Sequence, residues 1–295
     1  MSPLRFSSVV VLALLLMGCA ATSPTDYTTY QRSTALTGDI QQDELPVKVT
    51  NPRIEFRGIA LHDDRVNSLN LLYSGVGGAG GIGAQIVMHA TSVRAAQDRK
   101  LEELREKADL ALAPLKADLE GLEIDELRLA SVPGRFLVGA EGEDSSSEFF
   151  VRSYPIFFVS DNLESISITN VISLHQTAGS KTATLYQNLV EVILDAEDLA
   201  GGLENAGRDG LMAMIHKLYA ESMILALDDV AEQLQEVDLT ARNFRFHQGE
   251  RLRVERGSKV EQGCKSTTIR NLRGWLIRYP ASGNTTCSEQ VAASK

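Results

Sequence analysis

The chain has 295 residues, 43% of them apolar and 23% charged, with a formal net charge of −10 at pH 7. Length and apolar content are enough for a sizeable core, which excludes a wholly disordered chain, and the acidic balance excludes a general nucleic-acid binder, whose footprint is basic. The charge is unevenly divided: Ala20 to Thr240 carries 17 basic and 35 acidic residues, a net of −18, whereas Ala241 to Pro280 carries 10 basic and 3 acidic, a net of +7. Such a basic stretch either meets an anionic surface, such as lipid phosphates or a polyanionic envelope polymer, or docks on the chain's own acidic body or stays solvated.

At the N-terminus Arg5 precedes nine apolar residues, Val9 to Met17, followed by Gly18 and Cys19. Nine residues cannot cross a hydrocarbon core that takes roughly 20 helical residues, so residues 1–18 read as a signal peptide. Leu16-Met17-Gly18-Cys19 resembles the lipobox of bacterial lipoproteins. The resemblance implies that Cys19 becomes the acylated first residue of the mature chain, with a diacylglyceryl thioether and an N-acyl chain that make a durable anchor. In such lipoproteins an Asp after the cysteine signals inner-membrane retention. Ala20 and Ala21 stand there here, which implies an outer-membrane anchor with the body facing the periplasm.

Residues 19–46 are rich in Thr, Ser and Gln and poor in aliphatics, and are expected to form a disordered tether. An α+β body is expected over 47–240. Ile54 and Phe56 alternate with Arg53, Glu55 and Arg57 as in a half-buried strand, and Leu69 to Tyr73 reads as another. Gly75 to Gly83 holds six glycines in nine residues and matches G-x-G-x-x-G twice. No second strand with a ribose-binding acid follows at the required distance, so a dinucleotide site is not expected. Ser68 to Val93 has no charged residue, and Gly77 and Gly81, with Ala79 and Gly83, stand four apart, the spacing that lets helices approach closely in lipid. The segment is read either as a glycine-rich connection or as a membrane or oligomer contact through Gly77, Gly81 and Gly83.

From about Ala84 the spacing turns helical: Leu101, Leu104, Ala108, Ala111 and Leu115 form a stripe, and Pro114 must kink or break the helix before Gly121. The body resembles uncharacterised envelope lipoproteins that carry a Gly-rich segment ahead of a charged helix with an Ala-Pro-Leu step, here Ala113-Pro114-Leu115. Glu148 to Ser160 and Glu164 to Leu174 predict a hairpin turning at Asp161-Asn162, with Leu185 to Leu194 a third strand. Gly201-Gly202 precedes a second long helix, about Glu204 to Val237. The fold class expected is α+β, a mixed or antiparallel sheet with two long helices on one face, the other face solvated or covered by the tail.

Residues 241–295 are expected to be a small basic β-module. Leu252 and Val254 face away from Arg251, Arg253 and Glu255, and Ile269, Trp275, Ile277 and Tyr279 lie at even spacings along another strand. Cys264 and Cys287 remain as a pair in a compartment that oxidises thiols. A bridge between them would close a loop of 24 residues and stabilise by about 3.5 kcal/mol. A metal site would need more soft ligands, and a redox pair closer spacing.

The five histidines show no paired metal spacing, Gly-x-Ser-x-Gly and Ser-x-x-Lys are absent, and His62-Asp63-Asp64 reads as a polar turn. No cofactor and no catalytic residue are expected. The expectation is a lipid-anchored, non-catalytic envelope interaction or assembly protein, bound to the membrane through Cys19, with an envelope protein partner, possible self-association and no nucleic acid. The alternative is a periplasmic small-ligand or lipid carrier that assists a transporter.

Overall fold

The computed structural model describes residues 30–35, 45–49, 54–59, 102–103, 106–120, 122, 127, 136–140, 148–178, 181–195, 202–231, 234, 238–263 and 265–281. Gln31–Lys295 forms one unit and Met1–Tyr30 another. The strands are β1 (Ser33–Thr34), β2 (Leu45–Val49), β3 (Glu55–Gly58), β4 (Phe136–Ala140), β5 (Phe149–Val159), β6 (Ser165–Ala178), β7 (Lys181–Asp195), β8 (Asp238–Gln248), β9 (Arg251–Gln262), β10 (Ser266–Asn271) and β11 (Leu276–Pro280). The helices are α1 (Lys116–Leu119), reached through a 3-10 segment Leu110–Leu115, and α2 (Gly207–Val230).

These strands make one large, mostly antiparallel sheet in the order β4-β2-β5-β6-β7-β11-β10-β9-β8, with β1 also on β7 and β3 also on β5. Its spine is the meander β5-β6-β7, where the sequence is densest in β-branched and aromatic residues. The turn falls at Asp161-Asn162 as the sequence predicts. Ser160 Oγ donates to Asn162 Oδ1 (2.8 Å), and the Ser165 N–H donates back to Ser160 Oγ (2.9 Å). Leu163 is held there at φ 56° because its side chain is buried in the core.

Residues 165–175 of β6 are buried on both faces. Ile166, Ile168, Ile172 and Leu174 point at α2, with Phe157, Val159, Val190 and Val192 beside them, and join Leu211, Ile215, Leu218 and Met223 in the main core. The opposite row, Ser167, Thr169, Val171 and Ser173, would be wet in an open sheet. Here the tail covers its Ser167 and Thr169 end: β8 and β9 fold across this face, placing Phe244 and Phe246 on Ile193, Ile269, Ile277 and Tyr279. The Phe246 and Tyr279 rings stack at 4.2 Å, and Gln248 Nε2 donates to Ser167 Oγ (2.8 Å). The β8–β9 turn fits against the β5–β6 turn so closely that a Cβ on Gly249 would lie 2.7 Å from Ser160 Cβ.

Several expectations change. The strands of 241–281 are not a separate module: β11 pairs with β7 in parallel, so the tail continues the body's sheet. Ile269 and Trp275 do not share a strand, because residues 272–275 turn between β10 and β11. The second helix ends at Val230, where the Ala231 N–H closes on the Leu227 carbonyl (2.8 Å), and β8 begins at Asp238. Residues 19–46 are not tether throughout, since Ser33–Thr34 pairs with β7 and Leu45 and Pro46 with β4. The first long helix lies mostly outside the described residues; its end is α-helical over 106–109, tightens to 3-10 through Pro114 and stops after α1, a proline's ordinary effect.

That helical end fixes β3. The Gly58 N–H donates to Asp109 Oδ1 (2.8 Å), and a Cβ on Gly58 would lie 1.8 Å from the Ala108 carbonyl oxygen. Gly58→Ala must push the two backbones apart, and we expect a loss of about 1–3 kcal/mol, read as a lower urea midpoint.

Candidate functional site

The stripe of α2 that meets the sheet repeats at helical spacing, Leu211, Ile215, Leu218, Ser222, Ala226, Asp229, so two polar residues stand where apolar ones belong. The sheet answers each of them. Asn170 on β6 donates to Ser222 Oγ (3.0 Å) and accepts from Ser153 Oγ (2.9 Å). Asp229, 3% exposed, sits at the last turn of α2 and gathers donors from four residues in three parts of the chain. Arg32 grips it with Nε on Oδ2 (3.0 Å) and Nη2 on Oδ1 (3.2 Å), Arg270 of β10 reaches Oδ1 (2.8 Å), and from β7 Tyr186 Oη (2.8 Å) and Asn188 Nδ2 (3.1 Å) both reach Oδ2. Asn188 Nδ2 also donates to the Gly274 carbonyl (3.1 Å), so the β10–β11 turn joins the cluster.

A carboxylate offers about four lone-pair sites, and five donors converge on this one. It has no capacity left for a substrate proton or a metal, so its chemistry is spent on holding the chain. Burial pushes the Asp229 pKa up, but the hydrogen bonds from Arg32 and Arg270 outweigh it and hold the acid below the ordinary carboxylate range. Burial, and after it the Asp229 charge, keeps the Tyr186 phenol protonated as a donor.

On the opposite face of the sheet Glu191 of β7 is buried and forms a two-pronged pair with Arg253 of β9, Nη2 to Oε2 at 3.1 Å. Arg253 Nη1 also donates to Gln248 Oε1 (3.1 Å), Nη2 to Glu255 Oε1 (3.1 Å), and the guanidinium lies 5.2 Å from the Phe246 ring centroid. This pair reverses the usual sense of the strand. Arg253 and Glu255 take the inward side, and Leu252 and Val254 alternate with them as expected, but outward, 53% and 54% exposed. Beside them on β8 are the exposed Asn243, Arg245 and His247, with Arg256 two residues further along β9 and Leu272, 70% exposed, next to it.

Cys19, Gly77, Gly81, Gly83, Cys264 and Cys287 all lie outside the described residues, as do His62, Asp63, Asp64 and His89. Glu102, Glu103 and Glu106 are exposed, as a solvated helix face should be. Trp275 is half-buried beneath Arg273, whose guanidinium lies 4.8 Å from the ring centroid. His175 is buried beside Phe150, with Nε2 2.8 Å from Ser173 Oγ and Nδ1 3.3 Å from Thr184 Oγ1. Burial, then Arg152, draws its pKa down, so it is neutral at pH 7. The Thr184 hydroxyl occupies the place that a serine-histidine-aspartate relay gives to a carboxylate. Among the described residues no group of three or more His, Cys, Asp or Glu side chains is placed to hold a metal ion.

Sequence reasoning passed over Arg32, Asp229, Arg270, Glu191 and Arg253. Arg32 lies in a stretch of tether composition and carries no local signal. Asp229 had one, an acid in register with Leu218 and Ser222 on an otherwise apolar helix.

Asp229→Asn leaves two guanidiniums facing a neutral amide, and we expect a loss of about 3 kcal/mol or more at pH 7, measured by urea unfolding. Because the folded pKa lies below the unfolded value of about 3.9, the stabilisation is complete above that value and disappears as pH falls through the folded one. The wild-type urea midpoint therefore drops below about pH 4 more steeply than that of Asp229→Asn.

No family model matches the chain, and no curated protein matches it significantly in sequence. A solved structure described as "Crystal structure of uncharacterized protein" aligns with 68% of this chain and 96% of its own, at 11% identity and a TM-score of 0.24. A likeness of that size carries no argument about fold or function.

Proposed function

We propose that this chain is a non-catalytic envelope protein, held at the outer membrane by lipid on Cys19, that works by binding through the outward face of the β8–β9 hairpin. The observation that carries the reading is the reversed strand: Leu252 and Val254 stand in water while Arg253 fills the interior position. Aliphatic side chains scattered singly on a surface need no explanation, but a row of them flanked by arginines is what a contact surface offers. The buried acids on either side of the sheet, Asp229 and Glu191, are both committed to arginines, which fits a scaffold better than a reaction centre.

The same reading keeps the α+β class with a second long helix ahead of α1, and a structural Cys264–Cys287 bridge. Two measurements test it. Intact mass of natively purified protein is expected to begin at an acylated Cys19, and Cys19→Ser is expected to release the protein from membrane fractions. A photo-crosslinking residue at position 254 is expected to give discrete adducts in intact cells, and one at the exposed Ala183 on β7 none. An unmodified Cys19 sinks the location, and equal labelling from both positions sinks the contact surface.

A further inference from the structure

We propose that the partner of the hairpin's outward face is an anionic phospholipid surface, with Arg245 and Arg256 meeting phosphates while Leu252, Val254 and Leu272 enter the headgroup layer. The proposal rests on the lipid-anchored reading above and names what that surface binds.

Charge comes first. Neither Arg245 nor Arg256 pairs with a carboxylate among the described residues. The six outward side chains of the hairpin, Asn243, Arg245, His247, Leu252, Val254 and Arg256, include no acid. Elsewhere the chain is strongly acidic, so an anionic bilayer repels the rest of the molecule and attracts this face, which fixes orientation as well as affinity. Acidic proteins would satisfy the arginines too, but three exposed aliphatic residues beside isolated arginines match the layered chemistry of a headgroup boundary, with phosphate above and acyl chain below.

Chain connection is the second argument. Arg32 enters the body at the β10–β11 turn: its N–H donates to the Arg273 carbonyl (3.3 Å), and a Cβ on Gly274 would lie 2.6 Å from Arg32 Cβ. Leu272 stands in the same turn and its N–H donates to the Arg256 carbonyl (3.1 Å), so the tether joins the body next to one end of the aliphatic row. Arg32 stands thirteen residues on from Cys19, a reach of at most about 45 Å. The row is also the uncovered continuation of the sheet face beneath α2. Arg270, which touches α2 through Asp229, is paired with Ser258, and Arg256, Val254 and Leu252 follow at every second position beyond the helix's cover.

Trp275 is the single tryptophan of the chain and lies in that turn, so it reports docking without a label. The full lipidated protein is placed in vesicles of phosphatidylcholine alone or mixed with phosphatidylglycerol, with a headgroup-borne quencher, so that the anchor is inserted in both. We expect Trp275 quenching and a blue shift only with phosphatidylglycerol, reversed by high salt. Arg245→Ser with Arg256→Ser is expected to lower the docked-to-undocked ratio roughly twenty-five-fold, about fivefold for each arginine, whereas the matching lysine substitutions retain docking. Leu252→Ser with Val254→Ser weakens docking at unchanged salt dependence. Thermal melts of each variant confirm folding, which outward-facing substitutions leave intact.

Equal quenching in the two vesicle types, or quenching indifferent to the arginine substitutions, overturns the proposal. If position 254 then crosslinks to a polypeptide, the contact surface stands with a protein as its occupant. If it crosslinks to nothing, the contact surface falls as well. Acylation of Cys19, read separately by mass, decides the anchor.

Discussion

One carboxylate holds together segments that are far apart in the chain. Asp229 terminates α2, and its two oxygens bind the N-terminal segment through Arg32, the middle of the sheet through Tyr186 and Asn188, and the C-terminal strands through Arg270. No apolar contact imposes that convergence, because apolar packing is non-directional, whereas a desolvated anion accepts only arrangements that satisfy it. Hydrophobic residues in place of the whole cluster, acid and arginines together, would be tolerated on energetic grounds and are often more stabilising, whereas removing the acid alone strands the arginines. What the charge adds here is specification: one position for the end of α2, and one seat for Arg32. α2 is long and apolar enough by composition to span a bilayer, yet more than half of that stretch is buried in the protein, and Asp229 ties its end to the sheet.

The second ion pair explains the surface. Glu191 is in the middle of β7 on the face opposite α2, and a buried acid there requires a cation from whatever covers it. Arg253 supplies the cation, and in a strand the neighbours of an inward residue point outward. Leu252 and Val254 are therefore exposed as a direct geometric result of satisfying Glu191. A one-residue slip would bury both aliphatics, but it would leave Glu191 without its partner and turn Phe246 out of the second cluster. The hairpin's interior is more constrained than its exterior.

The legible part of the fold was the part that local pattern determines. Alternation and composition in Phe149–Val159 and Ile166–Leu174 gave the meander, its turn fell at Asp161-Asn162, and the helix tightens to 3-10 around Pro114, with a short piece running on to Leu119. What stayed hidden depends on distant pairs. Arg32 looks like any residue of a polar tether until Asp229 is placed beside it, and the stretch around it becomes strand only because β7 offers an edge. The tail read as a separate module because nothing local in Leu276–Pro280 announces a parallel pairing with Val190–Val192 across some eighty residues. The exposure of Leu252 ran against the rule that aliphatics face inward, since the rule assumes an apolar opposite face and Glu191 makes it ionic. The candidate site residues named from sequence, Cys19, Cys264, Cys287 and Gly77, Gly81 and Gly83, fall outside the described residues, so the site built here comes from other side chains.

The seating of β1 bears on how the molecule carries load. β1 lies along β7 in the middle of the sheet, just ahead of the point where β11 takes over the same edge, and is held by Arg32, by the short ladder at Ser33–Thr34 and by the Ala35 N–H on the Leu185 carbonyl (2.7 Å). A pull on the chain from its N-terminal side is thus delivered at β1, against β7 in the middle of the sheet, where two nitrogens of one guanidinium hold Asp229.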